Sequence, residues 1–192
     1  MDVKAVVALY KAHAEEDGLP ARQSGRLPML VIADMPYYIE TRFSVLRPVD
    51  PYNLSEIRMS ECSRSTYDNE SQLFFYDKKS GEGKDDLTGC IAENMLLVKI
   101  PESRFLDPYM YSMLTNLPVS RFLENGRMLM YRVAETVPVT QRMIDRVIKK
   151  IGPSGESYEN LFKAAKREAA ALNKNIQSAL NPKLKKRQIG LK

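Results

Sequence analysis

Residues 140–153 read Thr-Gln-Arg-Met-Ile-Asp-Arg-Val-Ile-Lys-Lys-Ile-Gly-Pro and carry the clearest structural pattern of the chain. Their apolar side chains recur at the spacing of one helical face: Met143, Ile144, Val147, Ile148 and Ile151. Thr140 is a favourable N-cap, and Gly152 followed by Pro153 is a typical helix stop. The segment therefore predicts an amphipathic helix from Thr140 to Ile151.

A second amphipathic helix is predicted from about Gly155 to Leu180, before Pro182. Its apolar positions recur every three or four residues: Tyr158, Leu161, Phe162, Ala165, Ala169, Leu172, Ile176 and Leu180. The short connection between the two segments makes them a helical hairpin.

Upstream of residue 139, short apolar or alternating runs lie between Gly and Pro residues, which is typical of strands. We expect strands at Met29–Ala33, Tyr37–Leu46, Gln72–Tyr76, Met95–Ile100 and Arg127–Val133. The polar segment 52–70 is predicted to contain none.

Two further helices are predicted in this part of the chain. One begins at the N-cap Asp2 and runs to about Glu16. The other begins at Asp107–Pro108, runs to about Asn116 and buries its apolar side chains: Tyr109, Met110, Met113 and Leu114.

This order of elements predicts an α+β fold, with a small mixed or antiparallel sheet and helices followed by a C-terminal helical hairpin and a basic tail. The expected organisation is a globular body (1–138), a basic helical hairpin packed on the body (139–181) and a basic tail (182–192). We recognise no family resemblance in these residues.

Charge is distributed unevenly along the 192 residues. The whole chain has a formal net charge of +5, and its 44% apolar content is ordinary for a soluble globular protein. Residues 1–100 hold 12 Lys and Arg against 16 Asp and Glu, whereas residues 141–192 hold 13 against 4. Such an asymmetry indicates an acidic partner for the C-terminal quarter, typically nucleic acid or a membrane surface. A membrane surface is disfavoured, because the tail lacks the Trp or Phe anchors and the large apolar face of an interfacial helix.

The candidate binding residues are the cations of this basic quarter. They are Arg142, Arg146, Lys149 and Lys150 on the first helix, Lys163, Lys166, Arg167 and Lys174 on the second, and Lys183, Lys185, Lys186 and Arg187 in the tail. We expect these cations to bind phosphate independently of base sequence. We expect the strongest contacts from Lys163, Arg167, Lys185, Lys186 and Arg187. The function expected is a nucleic-acid-associated protein, or a protein of a nucleoprotein or viral-type assembly.

Two alternatives to nucleic-acid binding remain open for the basic quarter. Its cations are a solvated helix face, or they dock on an acidic protein. That acidic protein can be a second copy of the chain in a homo-oligomer, presenting the acidic loop 78–86 with Asp68, Glu70 and Asp77. Base-specific reading by the second helix is disfavoured, because Glu156 and Glu159 at its start repel phosphate.

No motif indicates catalysis, a cofactor or a metal. His13 is the single histidine, and the two cysteines, Cys62 and Cys90, are far apart in the sequence. The aromatic residues Phe74–Tyr76 resemble a base-stacking platform, but core packing explains them better. No apolar run approaches the about 20 residues of a membrane span. We therefore expect a non-enzymatic protein of the cytoplasm, or of the host cytoplasm or virion if it is viral.

Overall fold

The computed structural model describes residues 2–53, 55–149 and 158–180, with side chains described as far as residue 174. Its helices are α1 (Val3–Ala12), α2 (Leu19–Gln23), α3 (Met59–Cys62), α4 (Ser103–Leu106), α5 (Pro108–Thr115), α6 (Gln141–Lys149) and α7 (Tyr158–Leu180). Its strands are β1 (Met29–Ile32), β2 (Met35–Glu40), β3 (Val45–Pro48), β4 (Ile57–Arg58), β5 (Arg64–Ser65), β6 (Ser71–Asp77), β7 (Glu82–Lys84), β8 (Met95–Pro101), β9 (Tyr131–Val133) and β10 (Glu135–Pro138).

The strands form two sheets, where the sequence predicted one. The first sheet has the order β4-β3-β2-β1-β9, and all its pairs are antiparallel except β1 with β9. The second sheet has the order β10-β8-β6-β5, with β7 also paired to β6, and is antiparallel throughout. The expected α+β class is confirmed.

Successive side chains of β6 point to opposite faces of the second sheet, so this sheet lies between two cores. Phe74 and Tyr76 point towards the first sheet and pack with Leu30 and Ile39. Leu73 and Phe75 point the other way, into a core that α6 and α7 close. On the far side of the first sheet, α1 packs through residues such as Tyr10. The layers are therefore α1 with α2, the first sheet, the second sheet, and α6 with α7.

Two helix starts are confirmed at their caps. Asp2 Oδ1 accepts a hydrogen bond from Lys4 N at 2.9 Å. Asp107 Oδ1 accepts one from Met110 N at 3.2 Å. Each carboxylate satisfies a backbone N–H that has no partner inside its own helix. Helix α1 ends at Ala12, earlier than the predicted Glu16.

The single strand predicted over Tyr37–Leu46 is wrong. The chain leaves β2 at Glu40, makes one 3-10 turn over Thr41–Phe43, and returns antiparallel as β3. Ser44 adopts a left-handed conformation with φ 54°, and it reverses the chain without the Gly or Asn that normally marks such a turn.

Two other strand predictions also need correction. Segment 52–70 contains β4 and β5, each two residues long and therefore too short for a visible alternation. The strand expected over Arg127–Val133 is reduced to β9. The following strand β10 was not predicted.

The predicted burial of Met113 and Leu114 is wrong. Met113 is 66% exposed and Leu114 is 57% exposed, while Ser112 beside them is buried. The short helix α5 turns Pro108 and Ser112 towards the interior, so its C-terminal end presents apolar side chains to solvent.

Among the described residues, no helix combines the length and apolar character needed to cross a membrane.

Candidate nucleic-acid interface

Helix α6 buries the start of its predicted apolar stripe and exposes its cations, but Ile148 of that stripe is 36% exposed, which corrects the prediction. Met143 and Ile144 are buried in the core beneath the second sheet. Arg142, Arg146 and Lys149 are exposed, and their i, i+4, i+7 spacing places them on one face of the helix. The predicted cap is also present, since Thr140 Oγ1 accepts from Met143 N at 3.4 Å.

Helix α7 is anchored by its first two turns. Leu161, Phe162 and Ala165 are buried in the same core as α6. The Tyr158 ring packs edge-on against Phe75 of β6, with ring centres 5.2 Å apart. The anchored turns fix the direction of the whole 23-residue helix, which is about 34 Å long.

The later part of α7 leaves the core. Residues 170–174 are exposed without interruption, and Leu172, which the periodicity placed on the apolar face, is 61% exposed. The side chains of Ile176 and Leu180, on the same predicted face, lie outside the described residues. In the described residues, the apolar stripe of α7 is therefore buried at its start and open to solvent at Leu172.

Two of the predicted binding residues are engaged with carboxylates of the chain itself. Lys163 Nζ lies 2.7 Å from Glu159 Oε1, one helical turn away. This hydrogen bond is the main reason that the pKa of Glu159 is lowered, with a backbone hydrogen bond from Tyr67 as the next cause. Lys166 forms an ion pair with Glu135, at the start of β10. Both lysines are exposed, so a phosphate can compete for these cations at little cost.

Four predicted cations are exposed and form no ion pair among the described residues. We call them the open cations: Arg142, Lys149, Arg167 and Lys174. Because α6 and α7 both pack on the same face of the second sheet, their exposed faces lie on the outer side of that layer. Arg146 has an interaction partner and is not counted with them.

The remaining predicted binding residues lie outside the described residues. They are Lys150, Lys183, Lys185, Lys186 and Arg187. Three of the five residues from which the strongest binding was expected belong to this group.

The aromatic run of β6 is core, as the sequence favoured. Phe74, Phe75 and Tyr76 are each 0% exposed. The Tyr76 hydroxyl lies 3.0 Å from the Tyr37 hydroxyl, which also donates to Gly81 O. These rings join the layers of the protein and offer no face on which a base can stack.

The acidic loop that was considered as a docking surface for a second copy is partly neutralised. Glu82 pairs with Lys84, and Asp85 pairs with Arg64 of β5. The Lys84 hydrogen bond is the largest cause of the lowered pKa of Glu82. Among the described residues, Asp77 and Asp86 form no ion pair and remain available to a cation.

The structure adds one residue to this surface that the sequence did not predict. Glu135 forms an ion pair with Lys166 although 31 residues separate them, and no local spacing signals such a pair.

Within the described part of the chain, no three His, Cys, Asp or Glu side chains are grouped as metal ligands. No protein-family model, curated protein or solved structure matches this chain.

Proposed function

We propose that this protein binds the phosphate backbone of nucleic acid through α6, α7 and the basic residues that follow, without reading base sequence and without catalysing a reaction. It would act as a nucleic-acid-associated protein, or within a nucleoprotein or viral-type assembly, in the cytoplasm or a virion. The observation that carries the proposal is the set of open cations on two helices that the core holds in place.

The charge along the chain supports the same proposal. No Asp or Glu follows Glu168, whereas Lys174 and the five Lys and Arg of segment 181–192 do. Cations on a fixed helix bind phosphate without the cost of ordering the backbone, and each contact releases condensed counterions. Like charges one helical turn apart, such as Arg142 and Arg146, also repel one another by a few tenths of a kcal/mol per pair, which phosphate relieves.

The experiment is a binding titration of short generic RNA and DNA duplexes and single strands over a salt series. It compares the full chain with a chain that ends at residue 180. We expect micromolar binding at low salt that weakens steeply as salt rises, and weaker binding with a smaller salt dependence for the shorter chain. Absence of binding at low salt would exclude the nucleic-acid proposal.

A second candidate function is docking of the same helices on an acidic protein surface, with a second copy of the chain as the partner to test first. Leu172 favours it, because a 61% exposed leucine among cations suits a protein partner better than a phosphate. Light scattering of the purified protein at low and high salt tests the homo-oligomer. A dimer or larger species that dissociates at high salt supports it, and a monomer at every concentration excludes it.

A further inference from the structure

A cavity of about 280 Å³ lies between α1, α2 and the segment before β9, on the side of the first sheet away from α6 and α7. Its apolar wall is formed by Leu9, Ala21 and Met130, and its polar rim by His13, Glu16 and Arg26. Cavities for drug-sized ligands are about 300–1,000 Å³, so this one suits a smaller molecule.

The wall of the cavity is fixed by hydrogen bonds that need no ligand. The Tyr10 hydroxyl donates to Leu27 O at 2.7 Å, which holds the tyrosine ring in place. Asp17 Oδ1 accepts from Leu19 N at 3.1 Å and from Met128 N at 3.0 Å. These bonds tie the start of α2 to the segment that carries Met130. A preformed site of this kind avoids the cost of ordering its wall when a ligand binds.

Gly18 is required for the close approach at the base of the cavity. A Cβ at this position would lie 2.0 Å from Met130 Cγ and 3.0 Å from Met128 O. Any larger residue therefore displaces the Met130 side chain, which lines the apolar wall. This position is a direct way to alter the cavity without changing a charge.

The rim presents opposite charges. Glu16 Oε1 lies 2.8 Å from His13 Nδ1, and both side chains face the cavity. Arg26 is exposed and has no ion pair among the described residues. Arg26 is close enough to the Tyr10 hydroxyl to oppose, electrostatically, the rise in the pKa of that tyrosine. A ligand with one charge can pair with only one of Arg26 and Glu16, whereas a zwitterion can pair with both.

We propose that this cavity binds a free α-amino acid with an apolar side chain. Its carboxylate pairs with the Arg26 guanidinium, which suits bidentate contact. Its ammonium pairs with the Glu16 carboxylate, and its side chain packs on Leu9, Ala21 and Met130. This site is independent of the nucleic-acid interface, because the cavity lies on the opposite side of the layered fold.

The test titrates the full-length protein with leucine and follows the imidazole resonances of His13 by NMR. Because His13 is the single histidine of the chain, a saturable shift of its signals locates binding at this cavity. Two analogues distinguish the chemistry: 3-methylbutylamine lacks the carboxylate, and 4-methylpentanoate lacks the ammonium. We expect leucine to saturate the shift at millimolar concentration and each analogue to bind at least about tenfold more weakly.

Substitutions at two exposed residues test the assigned contacts. Arg26→Gln and Glu16→Gln should each weaken leucine binding by about tenfold or more, as removal of a charge-assisted hydrogen bond predicts. Arg121→Gln removes the same charge from an exposed position outside the cavity and should leave binding unchanged.

Three outcomes would overturn the proposal. The first is the absence of a saturable shift with leucine. The second is binding of either analogue as tight as that of leucine. The third is an equal effect of Arg26→Gln and Arg121→Gln. Gly18→Ala, checked for folding by circular dichroism, should also weaken binding, and unchanged binding in the folded variant would contradict the assignment of the apolar wall.

Discussion

The guanidinium of Arg22 contacts the carboxylate of Asp107 in the interior of the protein, with Arg22 Nε 3.1 Å from both carboxylate oxygens. Arg22 is 6% exposed and Asp107 is 0% exposed. The pair joins α2 to the first turn of α5, where Asp107 also caps the helix. Removing one partner leaves a buried charge without compensation, which is far more costly than losing an exposed pair.

We predict that Asp107→Asn destabilises the protein by about 3–5 kcal/mol, because the amide retains a cap acceptor but leaves the Arg22 charge unpaired. Urea unfolding followed by circular dichroism measures the change. Asp34→Asn is the matched control, since Asp34 is exposed and its φ of 68° suits asparagine. A control effect above about 0.5 kcal/mol, or an Asp107→Asn effect of that size, would contradict this prediction.

The anchoring of α7 by its first turns gives a second prediction. Phe162→Ala should cost about 3–5 kcal/mol, because the ring is 5% exposed in the core beneath the second sheet. Leu172→Ala should change the free energy of unfolding by less than about 0.5 kcal/mol, because that side chain is 61% exposed. Thermal unfolding of both variants in dilute solution makes the comparison. Equal costs would mean that the later part of α7 is also packed.

Buried tyrosines make the protein sensitive to alkali. Burial, and secondarily the neighbouring Tyr38, raises the pKa of Tyr10 from its ordinary value of 10.0 to about 12. Burial also raises the pKa of Tyr37 and of Tyr76. Since Tyr10 ionises at about pH 10 in the unfolded chain but not in the folded one, the stability that it contributes is complete below pH 10 and is lost as pH rises through about 12.

Tyr10→Phe checks this dependence. The variant should be less stable at neutral pH, because Leu27 O no longer has its hydrogen-bond donor. It should, however, lose less stability between pH 10 and 12 than the unchanged protein, by at most about 2–3 kcal/mol. Urea unfolding at pH 8, 10 and 11.5 gives the dependence of the free energy of unfolding on pH for the variant and for the unchanged protein. Parallel curves would show that Tyr10 ionises normally in the folded protein.

Helix ends with side-chain caps were predictable from the sequence, because their signal is local. Asp2, Thr140 and the Asp107–Pro108 pair each mark a helix start that the structure contains. Strands β1, β6 and β8 were also found, since each is a long enough run of β-forming residues to stand out. The turn at Ser44 escaped detection because nothing in its residue type favours a left-handed conformation.

The remaining contacts could not be predicted from the sequence, because they join residues that are far apart along the chain. Burial of Arg22 depends on Asp107, 85 residues away, and neither position suggests an interior ion pair. The division of the cations into open and paired groups depends in the same way on Glu135, which reaches Lys166 across the fold. For α6 the helical period alone predicted which cations face solvent, because one buried stripe determines the opposite face.

The proposed function requires that the open cations bind phosphate. The variant that tests this requirement replaces all four open cations with glutamine: Arg142, Lys149, Arg167 and Lys174. Its matched control carries the same charge change at four exposed lysines elsewhere: Lys4, Lys11, Lys78 and Lys79. Neither set is buried, so both proteins should fold, which circular dichroism verifies.

The most direct measurement is the dependence of the logarithm of the duplex association constant on the logarithm of the salt concentration for these proteins. We predict that the magnitude of the slope is smaller for the open-cation variant, by up to about 0.9 for each phosphate that is no longer neutralised. The control variant should have the same slope as the unchanged protein. The same slope in the open-cation variant and the unchanged protein, or an equal reduction in variant and control, would contradict the assignment of these helices as the nucleic-acid interface.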